Sequence, residues 1–368
     1  MSTNLPSLNG IRALCIVSVL GAHACRSLGF PESWIEPSRY VFNGGLGVTV
    51  FFVLSGFLIT YLLARERAQA GAISLKKFYV RRSIRILPVY FLFILLLAIL
   101  DFSTGLQIGA CRYATALTFT KNFGCGGFQE GHLWSISVEE QFYILWPAAF
   151  VFLTRKSSLR LAAILIAIAL PFRLYFYLYG PPQLRLTSFM TNADALMIGS
   201  LLGLMLQEHP ARMRALLQER RVLRRGLAAV LIYALWIAQM KFVLGYLTVP
   251  LAATLQALAA GYLIASYAVV ERGSMYRFLN LRLVNYIGVI SYSIYIWQQP
   301  FFDADNPYGY LSAPFFLVFP YNLIAALAVA VMSYHLFEAP LLALRMKFRA
   351  VDSSLERPEL ARSPGAAA

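Results

Sequence analysis

The sequence predicts an all-α integral membrane protein, with about ten transmembrane helices around a polar cavity. Three observations carry that expectation. The chain of 368 residues is 59% hydrophobic and 13% charged, with a mean hydropathy of +0.63, whereas soluble domains carry about 25% charged residues. Apolar windows of about 20 residues, the length at which a helix crosses a bilayer, recur roughly ten times. Inside these windows stand a few ionisable residues, which cost about 2.5 kcal/mol or more in hydrocarbon and therefore tend to face a protein-lined cavity.

The windows lie near 8–28, 43–64, 83–100, 132–154, 159–179, 188–207, 226–240, 247–270, 283–302 and 315–343. The first lacks a basic start and a small-residue cleavage site and holds Arg12 and His23, so it is expected to remain as a helix and not to be removed as a signal peptide. The last is long for one span and should tilt or break near Pro320. Basic residues fall in short blocks between windows. Seven lie in or beside the second connection, from Arg65 to Arg85, three in the fourth, six in the sixth, three in the eighth and five after the last window. The odd-numbered connections share only seven, Arg173 included, and the positive-inside rule then places both termini in the cytoplasm. A net charge of +15 distributed in this way is a topology signal and argues against a nucleic-acid-binding face. One transmembrane domain over 1–350 and a disordered cytoplasmic tail over 351–368 account for the chain. The basic connection 208–225 suits the anionic inner surface. Cys111 and Cys125 flank a loop expected outside, where they form either a bridge or two free thiols. No internal repeat or metal-ligand spacing stands out.

The polar constellations follow the windows. Arg12 and His23 are 11 residues apart, about 20° from full helical register and roughly 16 Å along the axis. They share one face, Arg12 near the cytoplasmic end and His23 towards the outer side, which suggests a lined path; a lone histidine would more often serve a helix–helix hydrogen bond. The second window, from Phe42 to Phe57, holds small residues that permit close helix approach, and its Ser55 has no evident base to make it a nucleophile. Arg82 and Arg85, one turn apart, have the planar fork and constant charge that suit phosphate, although a positive-inside anchor needs charge alone. His132 and Glu139 are two turns apart on one face, with Glu140 pointing elsewhere. Glutamates at a helix start also complement the macrodipole. Asp194 opens the sixth window, either as a cap or lining the cavity with Glu139. The ninth window carries Asn285, Ser291, Tyr292, Ser293, Tyr295, Trp297, Gln298 and Gln299, an unusually polar series whose aromatic members suit an interfacial belt.

In this order the motifs resemble the acyltransferase-3 family of integral-membrane acyltransferases over roughly residues 5–345. The marks are Leu8-Asn9-Gly10-Ile11-Arg12-Ala13-Leu14 with His23 beyond it, Phe51-Phe52-Val53-Leu54-Ser55-Gly56-Phe57, Arg82-x-x-Arg85, and the run from His132 to Tyr143. The segment Ser291 to Pro300 is also similar, with Gln298 where the family commonly has histidine. The resemblance implies transfer of an acyl group, usually acetyl, from cytoplasmic acyl-coenzyme A to a hydroxyl of a carbohydrate or glycoconjugate at the outer side of a bacterial inner membrane, without a metal. It implies that Arg12, Arg82 and Arg85 hold the coenzyme's phosphates. His23 would be general base, oriented or stabilised by Glu139, with His132, Trp134, Ser135 and Asp194 as cavity or substrate residues. No carboxy-terminal esterase-like domain follows in this sequence, unlike the two-domain members. The rival class is a polytopic transporter using His23, Glu139 and Asp194 as relay or substrate-binding residues; binding of acyl-coenzyme A separates the two.

Overall fold

The structure, a computed structural model, describes residue 5, residues 7–302 and residues 314–345; the tail expected over 351–368 lies outside them. Among the described residues there is no strand. The helices are α1 (Leu8–Ala24), α2 (Glu32–Arg39), α3 (Gly44–Ala70), α4 (Leu75–Thr104), α5 (Ala110–Leu117), α6 (Leu133–Phe152), α7 (Arg155–Leu178), α8 (Pro182–Thr187) and α9 (Phe189–Glu208). Then come α10 (Pro210–Gln218), α11 (Arg221–Met240), α12 (Gly245–Val269), α13 (Ser274–Leu279), α14 (Arg282–Val289), α15 (Ser291–Trp297), α16 (Tyr321–Ser333) and α17 (Ala339–Arg345). A π-helical turn, Tyr334–Glu338, joins the last two.

Seven helical stretches among the described residues are long and apolar enough to cross a bilayer, formed by α3, α4, α7, α9, α11, α12 and the run from α16 into α17. The other three windows are filled by α1, which has 17 residues, by α6, which Glu139, Glu140 and Gln141 make less apolar, and by the short pair α14 and α15. Capping explains where several helices begin and end. The side chains of Asn43, Ser74 and Thr154 accept hydrogen bonds from the third residue of α3, α4 and α7 respectively. Ser74 starts α4 eight residues before the apolar window, so the helix carries its basic first turns, with Arg82 and Arg85, into the bundle. The long last window breaks at Pro320, which stands directly before α16.

Close backbone approach fixes α3 against α9. A Cβ on Gly56, Gly199 or Gly203 would overlap a carbonyl of the facing helix, the close contact that small residues permit in membranes. The opposite side of α3 meets α6, where the Trp146 indole donates to Thr60 Oγ1 at 2.8 Å. On the far side of α9 lies a buried ion pair. Arg173 of α7 reaches Asp194 of α9 at 2.5 Å, and Thr254 of α12 donates to the same carboxylate at 2.5 Å. The Arg173 fork also donates to Thr254 Oγ1 and to the Pro250 carbonyl, at 2.8 and 3.2 Å. Asp194 is therefore neither a helix cap nor a cavity residue, as its position near the start of the window allowed. Arg173, counted in the sequence only as a charge, takes up its carboxylate.

The loop between α5 and α6 is cross-linked. Cys111 and Cys125 form a disulfide with their Cα atoms 5.9 Å apart, within the usual range. Beneath it, Glu130 accepts from Lys121 Nζ and Arg112 Nε, both at 2.6 Å. Burial alone would raise the Glu130 pKa, but these two cations outweigh it and hold the carboxyl below its ordinary value. The loop also meets the end of the chain, because Gln299 Nε2 donates to the Phe128 carbonyl at 2.5 Å.

Two outcomes follow from this packing. Asp194→Ala should cost about 3–5 kcal/mol by leaving the Arg173 charge buried and unpaired, whereas the double change Arg173→Met with Asp194→Leu should restore most of the loss; thermal unfolding of the purified variants measures both. For the loop, a carboxylate with a depressed folded pKa contributes stability that is fully present above its unfolded value, about 4.3, and is lost as pH falls through the folded value. Hydrogen exchange over residues 118–132 should therefore accelerate only on acidification below about pH 4.3. In Glu130→Gln the loop should already exchange faster at neutral pH.

Candidate active site

Two cavities lie one above the other along α1. The larger, of about 660 Å³, is lined by His23 and Arg26 beyond the middle of α1, by Asn43, Gly44 and Gly45 at the start of α3, and by Gly131, His132 and Trp134 at the start of α6. The smaller, of about 90 Å³, is lined by Arg12, Ser55, Arg82, Arg85, Ser135 and Glu139, together with Tyr292 and Tyr295 of α15. Val48 and Tyr295 belong to both linings and form their shared wall.

The two polar residues of α1 thus divide between the cavities, as their axial separation requires. His23 is held from α15: its Nδ1 lies 2.7 Å from Gln298 Oε1, and Gln298 is completely buried. With the amide oxygen turned towards it, Nδ1 is the protonated nitrogen and Nε2 keeps its lone pair. The Gln298 position thus holds an amide in direct contact with the candidate base.

Glu139 does not meet His23. Seven residues along α6 from His132 correspond to about 10 Å of rise, and this carries Glu139 past the shared wall into the smaller cavity. There it accepts a hydrogen bond from Ser55 Oγ at 2.7 Å, and Ser55 accepts from Tyr143 at 3.0 Å. The expected pairing of base and carboxylate is replaced by His23 with Gln298 on one side of the wall and Glu139 with Ser55 on the other.

Arg12, Arg82 and Arg85 converge from α1 and α4 on the smaller cavity. Among the described residues none of them forms an ion pair. Arg12 makes one long bond to Asn9 Oδ1, at 3.5 Å. The Arg82 guanidinium lies over the Tyr143 ring, 3.7 Å from its centroid, and its Nε is buried without a partner. Glu139 is the one carboxylate in the described lining of this cavity, while Glu140 and Glu338 stand behind it within electrostatic reach of Arg82 and Arg85 respectively. Such a site is set up to receive a polyanion.

His132 stands immediately before α6, its ring edge-on to Phe93 and Tyr295 at 5.4 Å from each. Both ring nitrogens are buried without a completed hydrogen bond. Trp134 lines the larger cavity and packs edge-on against Phe52 at 6.0 Å. Ser135 helps close the wall. Its Oγ lies 2.6 Å from the Tyr295 hydroxyl, and the two reach the His132 carbonyl at 3.2 and 3.1 Å. Tyr292 and Tyr295, which suited an interfacial belt, point inward instead; Tyr292 donates to the Ile86 carbonyl of α4 at 2.9 Å. The three-residue spacing that places them on one helix face, in a run with Ser291 and Ser293, was the available signal. Glu338 had no such signal: it accepts from Ser293 inside the bundle, at a position that reads as the end of an apolar window. Asp194 lines neither cavity.

A profile of the acyltransferase-3 family, described as an acyltransferase domain, matches residues 5–335. The chain belongs to that family. Among curated acyltransferase-3 relatives, it is 26% identical over 366 residues to the peptidoglycan O-acetyltransferase OatA of Listeria monocytogenes, covering 92% of this chain and 56% of the relative. It is likewise 26% identical over 365 residues to the O-acetyltransferase OatA of Staphylococcus aureus, covering 92% of this chain and 57% of the relative. The chain thus spans a little over half the length of these relatives. No solved structure gives a significant match. Among the described residues no group of three or more His, Cys, Asp and Glu side chains is placed to hold a metal ion.

Proposed function

We propose that this chain is a membrane O-acyltransferase. It moves an acyl group, acetyl by analogy with its relatives' names, from cytoplasmic acyl-coenzyme A to a hydroxyl of a carbohydrate or glycoconjugate at the outer side of a bacterial inner membrane. The observation that carries this reading is the junction of the two cavities: a pocket with three unpaired guanidiniums shares a wall with a larger one that presents the free Nε2 of a histidine. The proposal includes ten crossings, with α1, α6 and the α14–α15 pair completing the set, and both termini in the cytoplasm.

Arg12, Arg82 and Arg85 hold the donor's phosphates from the inner side. At about 90 Å³ against about 660 Å³ for its neighbour, the smaller cavity leaves a nucleotide at its mouth and admits only the acyl-bearing arm. Passage of that arm past Val48 and Tyr295 brings the thioester carbonyl towards His23. The His23 Nε2 accepts the proton of the acceptor hydroxyl as its oxygen bonds to the carbonyl carbon, and returns it to the departing thiolate. Gln298 keeps the imidazole in the required tautomer. Glu139 offsets part of the arginine charge and orients Ser55. A relay reading, in which His23, Glu139 and Asp194 form one path, has less support because Arg173 and Thr254 occupy the Asp194 carboxylate.

His23→Ala should lower turnover by about 10²- to 10⁴-fold, the usual contribution of a general base, while acyl-coenzyme A binding persists. A folded variant that keeps more than about a tenth of wild-type turnover would remove His23 from the mechanism. Arg85→Ala should mainly raise the KM for the donor, because phosphate contact is shared by ground and transition states. A collapse of kcat with donor binding intact would place Arg85 in the chemistry instead. Steady-state kinetics and donor binding, both per mole of folded protein, decide each case.

A further inference from the structure

The larger cavity has a charge that the acyltransferase reading does not require. Seven basic residues belong to the odd-numbered connections, and several of them are ion-paired where they stand: Arg112 and Lys121 share Glu130, and Arg173 holds Asp194. Arg26 and Arg39 are different. Both line the larger cavity, and both stand within electrostatic reach of the Cys25 thiol on its wall. Lys241 follows the cavity-lining Met240, with its ammonium 5.4 Å from the centroid of the Tyr40 ring. No carboxylate lines this cavity among the described residues. Glu36 lies outside the lining, 3.4 Å from Arg39, in a pair whose side chains are 53% and 62% exposed. Such a pair is screened by water and leaves Arg39 able to bind a ligand.

We infer that the larger cavity takes an acidic glycan, whose sugar carboxylate is bound by Arg26 and Arg39. This deepens the acyltransferase reading and rests on it. The planar fork of arginine matches a carboxylate with two parallel hydrogen bonds. Trp134 and Trp236, also in the lining, offer flat apolar surface to the hydrophobic faces of sugar rings. The Arg26 amide bonds to the His23 carbonyl at 3.0 Å in the tight turn that ends α1, so the anion-binding group and the base are one turn apart. The hydroxyl presented to His23 thus belongs to the acidic sugar or to its immediate neighbour. The two sites also sort by exposure: the half-buried arginines of the smaller cavity meet the donor, and the exposed arginines of the larger one select the acceptor.

The test uses full-length protein in nanodiscs of neutral lipid and two probes, a hyaluronan tetrasaccharide and the same tetrasaccharide with its carboxylates reduced to alcohols. At low salt the acidic probe should bind at least about tenfold more tightly, the worth of one charge-assisted hydrogen bond. That preference should shrink as ionic strength rises. It should vanish in the double variant Arg26→Gln with Arg39→Gln, which should still bind acyl-coenzyme A. Equal affinity for the two probes, binding of neither, or a preference that survives in the double variant would overturn the proposal. Acyl-coenzyme A binding, measured on the same preparations, reports on the acyltransferase reading alone, so failure of one idea is told apart from failure of the other.

Discussion

Hydrocarbon offers no hydrogen bonds, so each polar group carried into this bundle needs a partner from the protein or from a ligand. The arginines show both solutions. Arg173 is met on every side by Asp194, Thr254 and the Pro250 carbonyl, and it ties α7, α9 and α12 together. Arg12, Arg82 and Arg85 have one long bond, one aromatic face and no ion pair among the described residues. Chemically identical side chains therefore serve different ends. A fully partnered guanidinium holds the fold, while three that form no ion pair among the described residues are suited to reward an arriving anion.

The site is closed by the first helix and by a late pair, α14 and α15. The α1 helix lies against α14 so closely that a Cβ on Gly288 would overlap the Asn9 carbonyl, and Asn280 exchanges hydrogen bonds with Ser7. This docking carries α15 to the same place, with Tyr295 as the wall between the cavities and Gln298 as the partner of His23. Residues 275 apart in sequence thus share one proton. On the opposite side, the glycine contacts between α3 and α9 press α3 inward, so that Ser55 reaches Glu139. The geometry at His23 and the geometry at Glu139 are consequently set by different packing surfaces.

Much of this was legible in the sequence because it depends on local period and composition. The apolar windows, the break at Pro320 and the shared face of Arg12 and His23 follow from helical geometry applied within one or two segments, whereas the grouping of Arg82 and Arg85 with Arg12 rests on the family resemblance. Pairings between distant helices were not legible. Two turns of separation correctly placed His132 and Glu139 on one helix, but not on opposite sides of a tyrosine supplied by another. Gln298 looked like a departure from a pattern, and its contact with His23 could be seen only once α15 was set beside α1. Asp194 resembled a cavity residue because its partner, Arg173, read as one more charge in the tally.

The wall made by Val48 and Tyr295 has a consequence for the cell as well as for the reaction. On the proposed topology the two pockets open towards opposite faces of an energised membrane, one breach away from a pore. Each proton that passed would dissipate about 2.3 kcal/mol per 100 mV of potential. The Tyr295 hydroxyl, tied to Ser135 and to the His132 carbonyl, holds its ring in the wall that the two described linings share. An acyl chain can push past such a ring and let it fall back, and a small, snug opening admits no trailing column of water. On that topology the aromatic wall would also be an insulator, letting the proposed transfer cross the bilayer without draining its proton-motive force.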